Sequence, residues 1–211
     1  MKRIIAASQN QHKIREIEAI TKDFGMSIIS RDEAGVPNFE IVEDGETFEA
    51  NSYKKAYEIM RLSGEITIAD DSGLEVDYLE GAPGVYSARF AGEEANDKKN
   101  NEKLLSLLEG VPMGKRTGRF VSVITVVYPD GTNLVARGEA EGLIAFEESG
   151  SNGFGYDSLF IPAGYVITFG NISPEEKNKI SHRANALVKL RKLLKDKDSN
   201  KEMAKTFRED D

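Results

Sequence analysis

The segment Phe120–Tyr128 (FVSVITVVY), the turn Pro129-Asp130-Gly131 and the segment Asn133–Ala140 (NLVARGEA) decide the fold class of this chain. β-branched residues dominate the first segment, and a Pro-Asp-Gly turn between two extended runs is typical of a β-hairpin. A hairpin contributes antiparallel strands, whereas the alternating strands and helices that precede it favour parallel ones. The sequence therefore predicts an α/β fold with a mixed sheet.

Short apolar runs on the N-terminal side of the hairpin predict further strands. These runs are Arg3–Ala7, Met26–Ser30 and Ile66–Ala69. Each is four or five residues long, which is the usual length of a buried strand. We expect the third strand to end on Asp70-Asp71-Ser72-Gly73, and an extended alternation to continue over Leu74–Leu79.

Helix start signals separate these strands and follow the hairpin. Thr47 precedes an apolar helical pattern that closes near Gly64, so it is a predicted N-cap. Ser173 is a second predicted N-cap, because Pro follows it and Glu stands three residues later. No linker divides the interior, so residues 1–194 are predicted to form a single domain. Residues 195–211 are a charged tail, which we expect to be a frayed helix or disordered.

Composition excludes several functional classes. The 211 residues include 28 Lys and Arg against 36 Asp and Glu, which gives a net charge of −8. Such an acidic chain lacks the basic surface of a general nucleic-acid or anionic-membrane binder. Without cysteine it has neither disulfides nor thiolate zinc sites, and two histidines do not suffice for a multi-histidine metal centre. Any metal is therefore expected to be a hard cation, Mg²⁺ or else Mn²⁺.

The apolar stretches are too short for a targeting signal or a membrane span. Met1–Ala7 begins like a signal peptide, but the polar Ser8-Gln9-Asn10 ends the run too early. The longest apolar stretch, Val121–Tyr128, already contains Ser122 and Thr125. The sequence therefore predicts a soluble cytoplasmic protein with neither a membrane nor nucleic acid as its partner.

The segment Ser8-Gln9-Asn10-Gln11-His12-Lys13 lies between a predicted strand and a predicted helix. A helix N-terminus offers free backbone N–H groups and a positive dipole end, both of which favour phosphate. Ser8, Asn10 and Lys13 would add side-chain donors. The alternative is an ordinary strand-to-helix turn with polar caps, since the glycines of a Walker A loop are missing.

Adjacent carboxylates in Ala69-Asp70-Asp71-Ser72-Gly73 form a second candidate. Successive strand residues point to opposite faces, so one carboxylate can ligate a metal while the other binds protein groups. The alternative is an Asx turn, which needs only one aspartate. Glu43 is a candidate for a further oxygen ligand, and the alternative there is a solvated acidic loop.

Two later segments carry aromatic and basic side chains. In Gly153-Phe154-Gly155-Tyr156-Asp157, flanking glycines allow close approach of the backbone to a flat ligand, and Phe154 or Tyr156 can stack on it. The alternative is a tight loop with core aromatics. Lys177 and Arg183 near a helix start can neutralise phosphate or donate to a carbonyl oxygen, the alternative being a solvated face. Together the candidates indicate a nucleoside triphosphate as ligand.

Six ordered motifs between residue 3 and about residue 194 resemble the inosine triphosphate pyrophosphatase family, which removes non-standard purine nucleotides. They are Ser8-x-Asn10-x-x-Lys13, Glu43-Asp44-Gly45-x-Thr47-Phe48-x-x-Asn51, Ala69-Asp70-Asp71-Ser72-Gly73-Leu74, Gly81-Ala82-Pro83-Gly84-Val85-Tyr86-Ser87-Ala88-Arg89, Gly153-Phe154-Gly155-Tyr156-Asp157 and Glu176-Lys177-Asn178-x-x-Ser181-His182-Arg183. The resemblance implies an elongated two-lobed α/β fold around a long mixed β-sheet, with the nucleotide cleft between the lobes. It further implies a homodimer that hydrolyses ITP, dITP and XTP or dXTP at the α–β phosphoanhydride to the monophosphate and pyrophosphate.

The resemblance also implies a role for each site residue. The phosphates would be held by Ser8, Asn10 and Lys13, by the backbone of Gln9, Gln11 and His12, and by Ser72 beside them. Glu43 and Asp71 would ligate Mg²⁺, for which Mn²⁺ can substitute. Asp71 would also orient or deprotonate the attacking water. Asp70 would contact neither the metal nor the substrate and would instead hold the residues that do. The purine base would contact a pocket wall formed by four residues, Phe154, Gly155, Tyr156 and Asp157. Phe154 would stack on its ring. Lys177 would contact phosphate or base, and His182 and Arg183 would donate to the 6-keto oxygen.

The chain departs from the family pattern at three positions. Ser8 stands where Thr is common, Gln9 where Gly is frequent and Ser158 where Pro is usual. Ser8 retains the hydroxyl, whereas Ser158 is expected to loosen the loop that shapes the base pocket. The residues are also compatible with two other functions. One is a pyrophosphatase for modified pyrimidine nucleotides, and the other is a nucleotide-binding sensor without catalysis.

Overall fold

The computed structural model describes residues 2–22, 25–37, 39–94 and 96–209. Over these residues one mixed sheet has the strand order β2-β1-β3-β4-β5-β6. Its strands are β1 (Lys2–Ala6), β2 (Met26–Ile29), β3 (Thr67–Val76), β4 (Thr117–Val127), β5 (Asn133–Ile144) and β6 (Phe160–Pro162). The helices are α1 (Gln11–Thr21), α2 (Phe48–Ser63), α3 (Asp97–Leu107), α4 (Pro174–Ile180) and α5 (His182–Glu209).

The predicted mixed sheet is confirmed. β1 pairs in parallel with β2 and β3, whereas β3, β4, β5 and β6 pair antiparallel. The hairpin β4–β5 is longer than predicted, with Thr117 opposite Leu143 and Val127 opposite Asn133. Both predicted caps are in place: the Thr47 side chain accepts from the Ala50 N–H, and that of Ser173 accepts from Glu176 N–H. Local chemistry thus accounts for these elements.

The expectation that the third strand ends on Asp70–Gly73 is wrong, and the extended run predicted over Leu74–Leu79 is strand only as far as Val76. β3 runs on through Asp71 to Val76, because β4 is long enough to pair with it over this whole length. Asp70 lies opposite Ile124, and Asp71 lies opposite Val123. The two carboxylates are therefore in the middle of a strand and point to opposite faces of the sheet, as predicted.

The apolar core divides on either side of these carboxylates. Around the parallel strands, α1 and α5 cover one sheet face with Ile14, Ile17 and Leu187, while α2 covers the other with Ala56 and Ile59. A separate cluster surrounds the far ends of β3 and β4, built from α3, β6 and the loops between β6 and α4. Its members include Leu74, Leu104, Leu108, Phe120, Phe160 and Phe169. The two core regions correspond to the two expected lobes, and Asp70–Ser72 lie where they meet.

The C-terminal helix packs directly against the sheet. A Cβ at Gly138 of β5 would lie 2.1 Å from the backbone nitrogen of Ala186, so only glycine permits this approach. The backbone of α5 continues to Glu209, past the predicted boundary at residue 194. Lys197 still contacts the hairpin, with its Nζ 3.8 Å from the centre of the Tyr128 ring. Most tail side chains lie outside the described residues, so the proposed division of the chain remains a prediction.

Over the described part of the chain, we find no helix that is both long and apolar enough to span a membrane.

Candidate active site

Two adjoining cavities lie where the lobes meet. The smaller, of about 140 Å³, has Phe120, Phe154, Tyr156, Lys177 and His182 in its wall. The larger, of about 730 Å³, is polar and contains the segment from Ala7 to Asn10 and the side chains of Glu43, Lys55 and Asp71. The two share Asn10, Lys13, Ser72 and Ala88. An aromatic pocket therefore opens into a charged cleft.

A third cavity, of about 390 Å³, lies between the start of α2 and the turn at residues 81–86. It holds none of the predicted site residues. Three of its four charged side chains are paired with each other, because Arg137 contacts both Glu49 and Glu75. Predicted site residues instead line the first two cavities and a fourth, of about 410 Å³, whose wall includes His12, Phe154 and Lys177.

The N-terminus of α1 forms one edge of the cleft. Asn10 is the N-cap, and its Oδ1 accepts from the N–H groups of His12 and Lys13 at 3.0 and 3.3 Å. The Ser8 hydroxyl accepts from the Asn10 N–H at 3.1 Å. The capped turn that was the alternative interpretation is thus present. It also presents the Asn10 amide and the Lys13 ammonium to both cavities, and their role as phosphate ligands remains a prediction.

Lys55 joins the two carboxylates that were predicted to bind a metal. Its Nζ lies 2.8 Å from Glu43 Oε2 and 2.9 Å from Asp71 Oδ1. Sequence reasoning missed this lysine, although it has a signal: Asn51, Ser52 and Lys55 are polar residues on the buried face of α2. A buried lysine needs a carboxylate partner, so its position predicts an acidic neighbour.

Asp71 is ionisable near neutral pH. Burial raises the pKa of Asp71 to about 6, Lys55 and Lys13 oppose that rise, and Glu43 adds to it. Burial acts in the same direction on Glu43, but there Lys55 outweighs it and lowers the pKa. A carboxylate with a pKa near 6 is a stronger base than the ordinary aspartate, whose pKa is about 4, that the sequence led us to expect.

The donor set at Glu43 and Asp71 fits a hard cation. Both are carboxylates, they already share one positive group, and Asp71 Oδ2 is buried without a hydrogen-bond partner among the described residues. The described residues contain no cluster of three or more acidic or histidine side chains placed to hold a metal. Two carboxylates suit an ion that keeps most of its water ligands, as Mg²⁺ does.

Asp70 lies at the centre of a buried ionic network. Its Oδ1 accepts from the Ser122 hydroxyl at 2.5 Å, and its Oδ2 lies 3.1 Å from Arg183 Nη2 and 3.0 Å from Lys13 Nζ. Burial by itself would raise the pKa of Asp70, but Arg183 and Lys13 outweigh it and hold the pKa well below its usual range. Asp70 is therefore ionised, and it pairs with Lys13, the predicted phosphate ligand.

Arg183 is completely enclosed by this network. It is 1% exposed and donates to Glu16 through Nη1 and to Asp70 and Ser72 through Nη2. The structure thus places both terminal nitrogens on protein acceptors. The predicted contact of Arg183 with the base therefore stays a prediction, and Glu16 is an ionic partner that the sequence motifs did not reveal.

Lys177 and His182 line the aromatic pocket itself. Lys177 Nζ lies 2.7 Å from Asp157 Oδ2, 3.1 Å from Glu16 Oε1 and 5.2 Å from the centre of the Phe154 ring. The His182 ring stacks on Phe120, with ring centres 4.8 Å apart. Its Nδ1 is buried without a partner among the described residues, so the polar group predicted to read the base faces no competing protein acceptor.

Comparison with known proteins agrees with this geometry. Residues 4–193 match the model of the Ham1 family. The chain belongs to the Ham1 family. It is 52% identical to the dITP/XTP pyrophosphatase of Clostridium perfringens (strain 13 / Type A), over 92% of this chain and 98% of the relative. It is 49% identical to the protein of the same name from Desulforamulus reducens, over 91% and 95% of the two chains.

Solved structures of similar proteins share the fold. The Staphylococcus aureus Ham1 protein superposes with a TM-score of 0.82 at 41% identity and covers 93% of this chain and 100% of its own. A nucleoside-triphosphatase / dITP/XTP pyrophosphatase from Mycobacterium abscessus gives a TM-score of 0.73 at 40% identity, over 89% and 98%. The resemblance inferred from the six motifs is confirmed.

Ser158 of this Ham1 chain takes part in hydrogen bonds that the sequence did not reveal. Its hydroxyl donates to Glu148 Oε2 at 2.7 Å and accepts from Asn101 Nδ2 at 3.2 Å. Serine supplies a donor and an acceptor at this position, which connect the loop to α3. The looser loop expected from serine in place of proline stays a prediction.

The buried state of His182 predicts how the stability of this Ham1 protein depends on pH. Burial, followed by the charges of Arg183 and Lys177, lowers the pKa of His182 well below its usual value. The folded state therefore keeps the imidazole neutral, while the unfolded state gains a proton below about pH 6.5. The free energy of unfolding should fall as pH drops below that point, by up to about 1.4 kcal/mol per pH unit from this group.

His182→Gln should reduce this slope, because glutamine does not titrate. Urea unfolding of both proteins between pH 7 and pH 5 measures the two slopes. If the free energy of unfolding has the same slope against pH in the wild type and in the variant, His182 becomes protonated inside the folded protein.

Proposed function

We propose that this chain hydrolyses non-standard purine nucleoside triphosphates, dITP, ITP and XTP or dXTP, to the monophosphate and pyrophosphate. The observation that carries the proposal is the continuity of an aromatic pocket with a cleft that holds both cationic and acidic side chains. A flat base fits the pocket, and a triphosphate with its cation fits the cleft. The names of the Clostridium perfringens and Desulforamulus reducens relatives support the same substrates.

The phosphates would lie along the edge of α1 and β3. Lys13 reaches both cavities, so its ammonium is placed to bind the phosphate nearest the nucleoside. Asn10 and Ser72 add polar groups at the same junction. Asp70 keeps Lys13 oriented at 3.0 Å from the opposite side. The resulting contacts neutralise charge before any bond breaks, which is the main demand of phosphoryl chemistry.

Glu43 and Asp71 would hold Mg²⁺ in the cleft. When bound, the ion supplies positive charge to the phosphates and acidifies a bound water. Asp71 would orient the attacking water toward the α-phosphorus and accept its proton. Lys55 keeps both carboxylates together and adds a positive charge to the same wall.

Selection among nucleotides according to their purine base would depend on Phe154 and on polar groups at the closed end of the pocket. Hypoxanthine and xanthine present an acceptor at position 6, where adenine presents an amino group. A neutral His182 has one N–H donor and one acceptor nitrogen. A donor matched to the keto oxygen loses its partner when adenine binds, at a cost of roughly 1–3 kcal/mol for each unsatisfied group.

A panel assay tests this function. Pyrophosphate release should be measured from dITP, ITP, XTP, dXTP, dATP, dGTP, dCTP and dUTP, with and without Mg²⁺. We expect fast release from the first four and a requirement for Mg²⁺, with Mn²⁺ as a substitute. Preference for the pyrimidine nucleotides dCTP or dUTP would instead support the pyrimidine enzyme, and binding without release from any nucleotide would support the sensor.

A homodimer in the cytoplasm belongs to the same proposal. It rests on the resemblance of the motifs to the inosine triphosphate pyrophosphatase family. Light scattering coupled to size exclusion should give twice the chain mass of 23.3 kDa. A mass of one chain at micromolar concentration would contradict the dimer without affecting the proposed reaction.

Lys13→Ala should raise KM for dITP more than it lowers kcat. The lysine would contact phosphate both before and during the reaction, so its loss mainly weakens binding that both states share. We expect KM to rise about tenfold or more, as for the loss of a hydrogen bond to a charged group. Steady-state kinetics give both constants, and Lys22→Ala, at an exposed position at the end of α1, is the matched control. An unchanged KM would place Lys13 outside the phosphate site.

A further inference from the structure

Gly155, in the wall of the aromatic pocket, is held by α3 through both of its backbone groups. Its N–H donates to Asp97 Oδ2 at 2.7 Å, and its carbonyl accepts from Asn101 Nδ2 at 3.2 Å. Gly155 stands between Phe154 and Tyr156, the two aromatic residues of the same wall. The position of this wall therefore depends on two side chains of a separate helix.

Asn101 is buried and its amide nitrogen serves three acceptors. It is 2% exposed, and Nδ2 lies 2.9 Å from Glu148 Oε2, 3.2 Å from Gly155 O and 3.2 Å from Ser158 Oγ. A carboxylate and a carbonyl accept only, so the nitrogen of the amide must face this side. The Ser158 hydroxyl donates onward to Glu148, which closes a small network around Gly155.

The neighbouring Asn100 ties the same helix to the opposite side of the pocket. Its Nδ2 donates to Ala88 O at 3.1 Å, and its Oδ1 accepts from the Ala91 N–H at 2.8 Å. Ala88 and Asn100 also line the aromatic pocket. Asn100 and Asn101, adjacent residues of α3, thus bond to two opposite walls of the pocket, and the helix links these walls.

We propose that Asn101 is a positioning residue, which sets the width of the base pocket by holding Gly155 and Ser158 against α3. This inference rests on the proposed function, because the pocket is taken to receive the purine base. Asn101 itself touches no reacting atom. Its effect passes through Gly155 to the rings of Phe154 and Tyr156, and so to the fit of the base.

Asn101→Ala separates positioning from a general structural role. A displaced wall weakens base binding equally before and during the reaction, so KM for dITP should rise about tenfold while kcat changes less than about threefold. A merely destabilised protein would have fewer active molecules, which lowers apparent kcat and leaves KM unchanged. The preference for dITP over dATP in kcat/KM should also fall. Glu102→Gln, the exposed next residue of α3, is the matched control.

Hydrogen exchange gives a readout that does not need catalysis. Amides of residues 149–160 should exchange about tenfold faster in Asn101→Ala than in the wild type, since their anchor is lost. Should Asn101→Ala fail to fold, Ser158→Ala is the second variant, because it removes only a hydroxyl that contacts both Asn101 and Glu148 and leaves their direct hydrogen bond in place. It should raise KM and loop exchange in the same direction by a smaller factor.

A double substitution separates the Glu148 contact of Asn101 from its Gly155 contact. Asn101→Asp places a carboxylate against both Glu148 and the Gly155 carbonyl and should raise KM by repulsion. Adding Glu148→Gln supplies an amide donor to that carboxylate but leaves the Gly155 carbonyl without its donor, so KM should stay raised.

Unchanged KM together with unchanged loop exchange in the Asn101 and Ser158 variants would overturn the positioning role. A wild type that releases no pyrophosphate from any nucleotide would overturn the proposed function alone, and loop exchange would then decide the role of Asn101.

Discussion

Asp71→Asn is expected to lower kcat for dITP by roughly a hundredfold or more, which is the usual contribution of a positioned base or metal ligand. Asparagine keeps the shape of the side chain but loses the charge and the basic oxygen. The Asp71 carboxylate is buried and faces the cleft, where Lys55 lies 2.9 Å from Oδ1. Glu43 still pairs with Lys55 in the variant, so no buried charge is left without a partner. The loss should therefore appear in turnover and not in folding.

Steady-state pyrophosphate release and a thermal melt together measure this effect. Asp44→Asn is the matched control, since Asp44 is an exposed carboxylate beside Glu43 that pairs only with Lys54 among the described residues. The control should keep wild-type kcat. A decrease of less than about twofold in Asp71→Asn, equivalent to about 0.4 kcal/mol in the barrier, would exclude Asp71 from the chemistry.

Arg183→Met is expected to lower the free energy of unfolding by about 3–5 kcal/mol, the usual cost of removing one partner from a buried ion pair. Methionine preserves much of the length and apolar volume of the side chain. It leaves Asp70 and Glu16 without the guanidinium that both now contact. Lys13 and Lys177 remain beside them, so the network is weakened and not abolished.

Urea unfolding at pH 7 measures the stability change, and Lys179→Met, an exposed cation on α4, is its control. A loss below about 1 kcal/mol, the range of exposed ion pairs, would contradict the buried role of Arg183. The folded fraction of the variant also tests the predicted base contact. If Arg183 reads the 6-keto oxygen, kcat/KM should fall far more for dITP than for dATP. An equal loss for both would rule out that contact.

Sequence alone was sufficient wherever the deciding interaction is local. The Thr47 and Ser173 caps bond to N–H groups three residues away, and the β4–β5 hairpin follows from its own turn. The opposite orientation of Asp70 and Asp71 follows from the two-residue period of any strand. Residue types in the motifs also indicated a nucleotide site, because phosphate, cation and base each require particular donors.

Only the tertiary structure decided which of these side chains meet. β3 continues past Asp70 because β4, about fifty residues later, pairs with it along its whole length. Lys55, Glu16 and Asn101 were missed because their partners lie on other elements, and the local sequence does not identify those partners. A lysine or asparagine on a helix is ordinarily solvated. Burial reverses that preference, since a polar group removed from water needs a partner, and which partner it finds is determined by the packing of distant elements.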